Sequence, residues 1–400
     1  MVKVFSKFFN DKDFFEIFQK GGISFLIRIG GQVMGFLMSL VIAYKYGAQG
    51  LGSFVLAITV LRIFTLLAKL GLDTTSVRFI ASFAKQDKWK SIILFRRKIV
   101  LLICITSVVS SITMYFLSFS ISSILDVKRQ YLQIASFFVL PMTFFILHYQ
   151  SLKGLKRIAE FSFFYRMSQT TFTIISIYII SIFIKDDIVP VYAYLSALII
   201  VSLLSYFTYR FSFFKIKKVN PEEVIEDLKF KNILKISIPL MFAQSVQFIM
   251  AWTDKLMIGN MMDAESVAIY GIAFRFSMIV SITLMAINSI AAPKFAEKFA
   301  LNDLQGMGKI ALQSSKIIFW ATLPLATILL LFPKFFMGLY GVEFLVGFEV
   351  LRWLIIGRLI NAFSGSVGNL MQMSGQQNIY MYILVIGATI NVVLNLFFIP

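Results

Sequence analysis

The sequence predicts an all-α polytopic membrane protein built as two helical lobes of six and five visible spans. Three observations carry that expectation. The 400 residues are 58% hydrophobic and only 14% charged, with a mean hydropathy of +0.83. A soluble chain of this length needs about a quarter of its residues charged to cover its surface. Uncharged runs such as 99–125, 130–152 and 236–253 reach or approach the ~20 residues that cross a bilayer as a helix. The two halves also echo each other at a constant offset. One cysteine, Cys104, excludes a disulfide framework, and with His148 the sole histidine there is no metal or cofactor site to expect.

The first element, 1–20, carries Lys3, Lys7, Lys12 and Lys20 between phenylalanines and lacks a small-residue cleavage site. It reads as a cytoplasmic amphipathic helix on the membrane surface, not a secretory signal. An N-terminal lobe over 21–214 follows, with spans at 21–44, 51–72, 98–118, 131–151, 161–184 and 190–213. A hydrophilic linker, 215–234, holds Pro221, Glu222, Glu223, Glu226 and Asp227. The C-terminal lobe, 235–400, has spans at 235–258, 266–291, 311–332, 349–372 and 379–400. Lysines and arginines then segregate: about twenty-four fall in one set of loops and six in the other. The positive-inside rule places the N-terminus and the linker in the cytoplasm. The net charge of +18 is therefore a record of topology, with no nucleic acid implied.

The halves align at an offset of about 216 residues, placing 48–57 opposite 264–273 and Arg78-Phe79 opposite Lys294-Phe295. An even number of spans separates the copies, so they run parallel, as in transporters whose halves are related by an axis along the membrane normal. Two motifs narrow the class. An Asp254-Lys255 pair closes the seventh span, and Tyr270-x-x-Ala273 opens the eighth. Near the end stand Met373-x-Gly375-Gln376 and Asn391-x-x-x-Asn395-x-x-x-x-Pro400. These resemble the multidrug, oligosaccharidyl-lipid and polysaccharide (MOP) exporter superfamily, in its branch of Wzx-type O-antigen and capsule flippases. The resemblance implies two six-helix lobes around a central cavity, twelve or more helices in all, and a chain that continues past Pro400. It also implies export of a lipid-linked oligosaccharide across the bacterial inner membrane, with a polysaccharide polymerase and a chain-length regulator as partners.

Charges inside the spans are the candidate site. Lys69, Arg166, Lys316 and Arg352 lie near span ends and are expected to snorkel to the interface. Arg28, Arg62, Arg275 and Arg358 lie deeper, and Arg275 falls within one turn of Arg62 in the repeat alignment. An arginine at the bilayer centre costs about 2.5–3.5 kcal/mol or more, so each must meet an acid, backbone carbonyls or a hydrated cavity. The only acids expected inside the spans are Asp254 and, at an edge, Glu160. The surplus cations suit an anion, and a guanidinium grips phosphate oxygens in pairs. The four arginines are thus the candidate substrate contacts, each against a structural alternative of helix packing. Asp254 has three roles open: pairing with Lys255, capping a helix end, or carrying a coupling proton. His148 is a packed histidine or a proton relay. Gln244, Gln247, Asn288, Asn361, Asn369 and Gln372 bind glycan or glue helices.

The function predicted is a flippase, not an enzyme, moving an undecaprenyl-diphosphate-linked oligosaccharide by alternating access. A cation-coupled multidrug extruder of the same superfamily would need acids within the first lobe. A membrane glycan polymerase or ligase would need a long outer loop with an acid/base pair, and the longest outer connections are about a dozen to sixteen residues.

Overall fold

The computed structural model describes residues 12–217, Ile225 and 228–399. Part of the expected amphipathic segment (1–11) and the core of the linker lie outside the described residues. From Lys12 onward the backbone is helical. The described elements are α1 (Lys12–Ala68), α2 (Leu72–Lys85), α3 (Trp89–Ile124), α4 (Arg129–Ser136), α5 (Val139–Gly154) and α6 (Ile158–Phe163). A π-helical turn (Phe164–Ser168) leads to α7 (Gln169–Phe183), α8 (Val189–Ile216), α9 (Phe230–Met261), α10 (Ala264–Val280), α11 (Ile282–Ala300) and α12 (Leu304–Leu331). The chain closes with α13 (Pro333–Gly338), a 3₁₀ turn (Val342–Gly347), α14 (Phe348–Ser364), α15 (Val367–Met373) and α16 (Gln377–Phe398).

Six of these helices are long and apolar enough to cross a membrane, or eight if the bent pairs α4–α5 and α10–α11 each count as one. The apolar stretch of α1, Leu26–Ala68, has 43 residues and holds two predicted spans, broken at Gly47. At 1.5 Å per residue that stretch is about 64 Å long, twice a hydrocarbon core. Gly47 has φ 68 and ψ −176, outside helical space and reached at little cost only by glycine. The predicted spans at 161–184 and 349–372 are likewise interrupted, one by the π turn and the other at Gly365.

The chain falls into two compact units. The first comprises Met1–Ile42 and Ser53–Trp252, and the second Ala43–Gly52 and Thr253–Pro400. In the first unit α5 packs on α2 and α8, and α7 lies along α8. Small hydroxyl residues tie α3 to α5 and α1. Ser107 and Thr143 share a hydrogen bond of 2.8 Å between α3 and α5. Ser110 donates to the Phe64 carbonyl at 2.8 Å, and Thr106 to the Ala68 carbonyl at 2.6 Å. Such residues let helix backbones approach and satisfy polar groups that lipid cannot. Leu101, Ile105, Ile112 and Phe116 of α3 are exposed, as a lipid-facing surface requires.

In the second unit α14 packs on α10 and α12, and α11 on α12 and α15. Phe276 sits between Phe336 and Tyr340, with ring centroids 5.6 and 5.9 Å apart. The segment of α1 around the Gly47 break, Ala43–Gly52 (the α1 tip below, since it connects two predicted spans), belongs to this unit. The Ala48 amide, a free donor at the start of a helical run, is held at 2.8 Å by Glu343 Oε2 from the 3₁₀ turn. A Cβ on Gly52 would lie 1.6 Å from the Ala264 carbonyl oxygen, so the two backbones touch.

Candidate functional site

Each unit carries a polar cluster in an otherwise apolar surround. In the second unit the cluster is centred on Asp254, near the end of α9. Tyr270 on α10 donates its hydroxyl to Asp254 Oδ2 at 2.6 Å, and Asn395 on α16 donates its amide to Oδ1 at 2.8 Å. Both carboxylate oxygens therefore have a neutral donor, and a charge-assisted bond is worth about twice a neutral one. Lys255 points its ammonium over the Phe274 ring, 5.6 Å from its centroid, and Arg358 lies over the same ring at 5.1 Å. A cavity of about 560 Å³ opens beside the carboxylate, bounded also by Ile258, Val350 and Asn391. The cluster gathers one residue from each of three sequence motifs: Asp254 of the Asp-Lys pair, Tyr270 of the Tyr-x-x-Ala start, and Asn395 of the asparagine repeat. Sequence reading named all three motifs but not their meeting point.

The first unit holds a network that sequence reading missed. Lys69 does not snorkel: its ammonium contacts Asp73 Oδ2 at 2.7 Å and also Gln244 Oε1. The Gln244 amide returns bonds to Asp73 Oδ1 at 3.2 Å and to Thr74 Oγ1 at 2.7 Å. Asp73 is only 3% exposed, a buried acid lying just beyond the predicted end of the second span. The helix does not end where the predicted span does. It turns at Leu70 and Gly71, both at positive φ, and resumes as α2 with Asp73 in its first turn. Gly71 is required there, because a Cβ would lie 2.2 Å from the Ser237 carbonyl oxygen of α9. Gln244 acts as helix glue, one of its two anticipated roles.

The four candidate arginines divide between the units. Arg28 is exposed on α1, with no ion pair among the described residues. Arg62 is half-buried, its guanidinium 5.2 Å from the Trp252 ring centroid. Arg275 is half-buried on α10 and interacts electrostatically with Tyr340. Arg358 is half-buried against Phe274. Arg166 stacks on Tyr165 at 4.5 Å, Arg352 pairs with Glu349 at 2.7 Å, and Lys316 is exposed. His148 is 5% exposed, stacked on Phe144 and lying beside Tyr206, with Ser205 Oγ 3.4 Å from Nδ1. It is packed between α5 and α8 and is not part of either cluster. No group of three or more metal-ligating side chains occurs among the described residues.

Comparison with known proteins gives a consistent result. A family model described as "Polysaccharide biosynthesis protein" matches residues 17–299, and a second, MatE, matches 239–397. No curated protein matches. Among solved structures, an inward-facing multidrug resistance MATE transporter of the MOP superfamily is similar at 16% identity and TM-score 0.71, covering 93% of this chain and 87% of that one. The lipid II flippase MurJ, inward closed, is similar at 16% identity and TM-score 0.70, covering 95% and 81%. A MOP transporter from Pyrococcus furiosus, described as having a binding pocket of reversed polarity, matches at 16% identity and TM-score 0.57, covering 94% and 86%.

Proposed function

The chain belongs to the polysaccharide biosynthesis protein family and has the MOP transporter fold, and we propose on that footing that it flips an undecaprenyl-diphosphate-linked oligosaccharide across the bacterial inner membrane. The observation that carries this reading is the surplus of cations within its helices. Arg28, Arg62, Arg275 and Arg358 are the candidate substrate contacts, cations suited to phosphate oxygens, while the prenyl tail stays in lipid. Alternating access exposes the head-group site to one leaflet at a time. The cargo is an O-antigen, capsule or exopolysaccharide unit, delivered to a polymerase and a chain-length regulator. The first-lobe acid does not favour a drug extruder, because Lys69 neutralises Asp73. Asp254 is the candidate coupling group: it is the carboxylate beside the second unit's cavity, and its hydrogen bonds come from neutral donors that can re-aim when a cation arrives.

The test is export of surface glycan in cells carrying Arg62→Ala or Arg275→Ala. Each is expected to lower export at least tenfold with membrane levels unchanged, and lysine at either position to restore only part, because the paired grip is lost. Normal surface polysaccharide from both alanine variants would reject the reading.

A further inference from the structure

Lys69 stands in the turn that closes α1, its amide still bonded to the Thr65 carbonyl at 3.0 Å, seven residues or close to two turns after Arg62, which puts the two on one face about 10 Å apart along the axis. They differ in what holds them. Arg62 rests against an aromatic ring, and the face of Trp252 leaves guanidinium hydrogens available to a ligand. Lys69 is already occupied by the closed ring of contacts with Asp73 and Gln244, its side chain 13% exposed and that of Asp73 4%.

A buried ion pair is a poor glue. Its desolvation cost commonly cancels its attraction, and apolar side chains of equal volume do as well or better. A carboxylate, however, offers a cation what a phosphate offers: two oxygens sharing one negative charge. Of the partners, Asp73 is fixed, since the α2 start is anchored by the backbone approach of Gly71 to Ser237. Lys69 is the mobile one, a point charge on a four-carbon stem.

We propose that Asp73 is a resident stand-in for the substrate's phosphate, holding Lys69 in the empty carrier until a diphosphate bound at Arg62 takes the lysine over. The inference rests on the flippase reading above. Exchange of one anion for another keeps the ammonium neutralised in both states. The uncovered Asp73 carboxylate then faces the bound diphosphate and repels it, so tight binding is traded for release. Gln244 sets how readily the exchange occurs, because it bonds both partners at once.

The experiment measures binding of geranylgeranyl diphosphate, and in parallel of inorganic pyrophosphate, to the full chain in detergent by calorimetry. Asp73→Asn is expected to bind both about tenfold more tightly and to export glycan more slowly. Adding Lys69→Gln should erase the gain. Gln244→Leu, which keeps the ion pair, should tighten binding about threefold and serves if Asp73→Asn fails to fold. Unchanged or weaker binding in folded Asp73→Asn or in Gln244→Leu overturns the proposal, and so does a gain confined to the prenyl lipid. Absence of any Arg62-dependent diphosphate binding in the unaltered protein rejects the flippase reading instead.

Discussion

Asp254 shows how much one side chain can depend on distant sequence. Its two donors stand 16 and 141 residues away, on helices that only the folded unit brings together. Removing one neutral donor and removing the charge should therefore have separable effects. Tyr270→Phe is expected to cost about 1.5–3 kcal/mol of stability, the net worth of a hydrogen bond to a charged group, with export nearly intact. Asp254→Asn should fold but abolish the dependence of export on proton or sodium gradients. Thermal melting and a gradient-controlled export assay separate the two, and gradient-dependent export by Asp254→Asn would remove the coupling role. The motif letters were visible in the sequence, but their convergence was not. In a soluble helix the apolar stripe says which face is buried, whereas a membrane helix is apolar all round and gives no such direction. Asp73 escaped for a related reason: the break at Leu70-Gly71 looks like a span end when hydropathy alone is read.

At the scale of elements, glycines determine where helices touch. Gly31 of α1 meets the π turn so closely that a Cβ would lie 2.7 Å from the Arg166 carbonyl oxygen. The Gly52 contact with Ala264 is tighter still, and both partners are backbone, so no rotamer change relieves it. Gly52→Val should cost more than about 3 kcal/mol, the upper range for overpacking, and be read as loss of protease-resistant protein. Gly357 on α14 is the control: nothing lies within 4 Å of the position a Cβ would take. Gly357→Ala should raise stability by up to about 1 kcal/mol, the difference in helix propensity. Sequence reading took long uncharged runs as eleven spans, where six of the described helices, or eight counting the bent pairs, are long and apolar enough to cross a membrane. It missed the interruptions at Phe164–Ser168 and Gly365, since π turns and bends leave no hydropathy mark.

For the whole molecule, the asymmetry of basic residues predicts an orientation that labelling can check. With Cys104 replaced, a single cysteine at Lys45 should react with a membrane-impermeant maleimide added to intact cells, and one at Asp87 should react only after lysis. The reverse pattern would invert the topology. The repeat was readable because its offset is constant. The unit boundaries were not, because the α1 tip joins residues that come much later in the chain. That tip has a temporal consequence. Its partner Glu343 lies 295 positions downstream of Ala48, and a ribosome adding about 5–20 residues per second needs roughly fifteen seconds to a minute to reach it. During that interval the first two spans are already in the membrane while their connecting tip has no receptor. The second unit can close only after the chain has grown past Glu343, and until then the unpartnered segment is open to quality-control proteases.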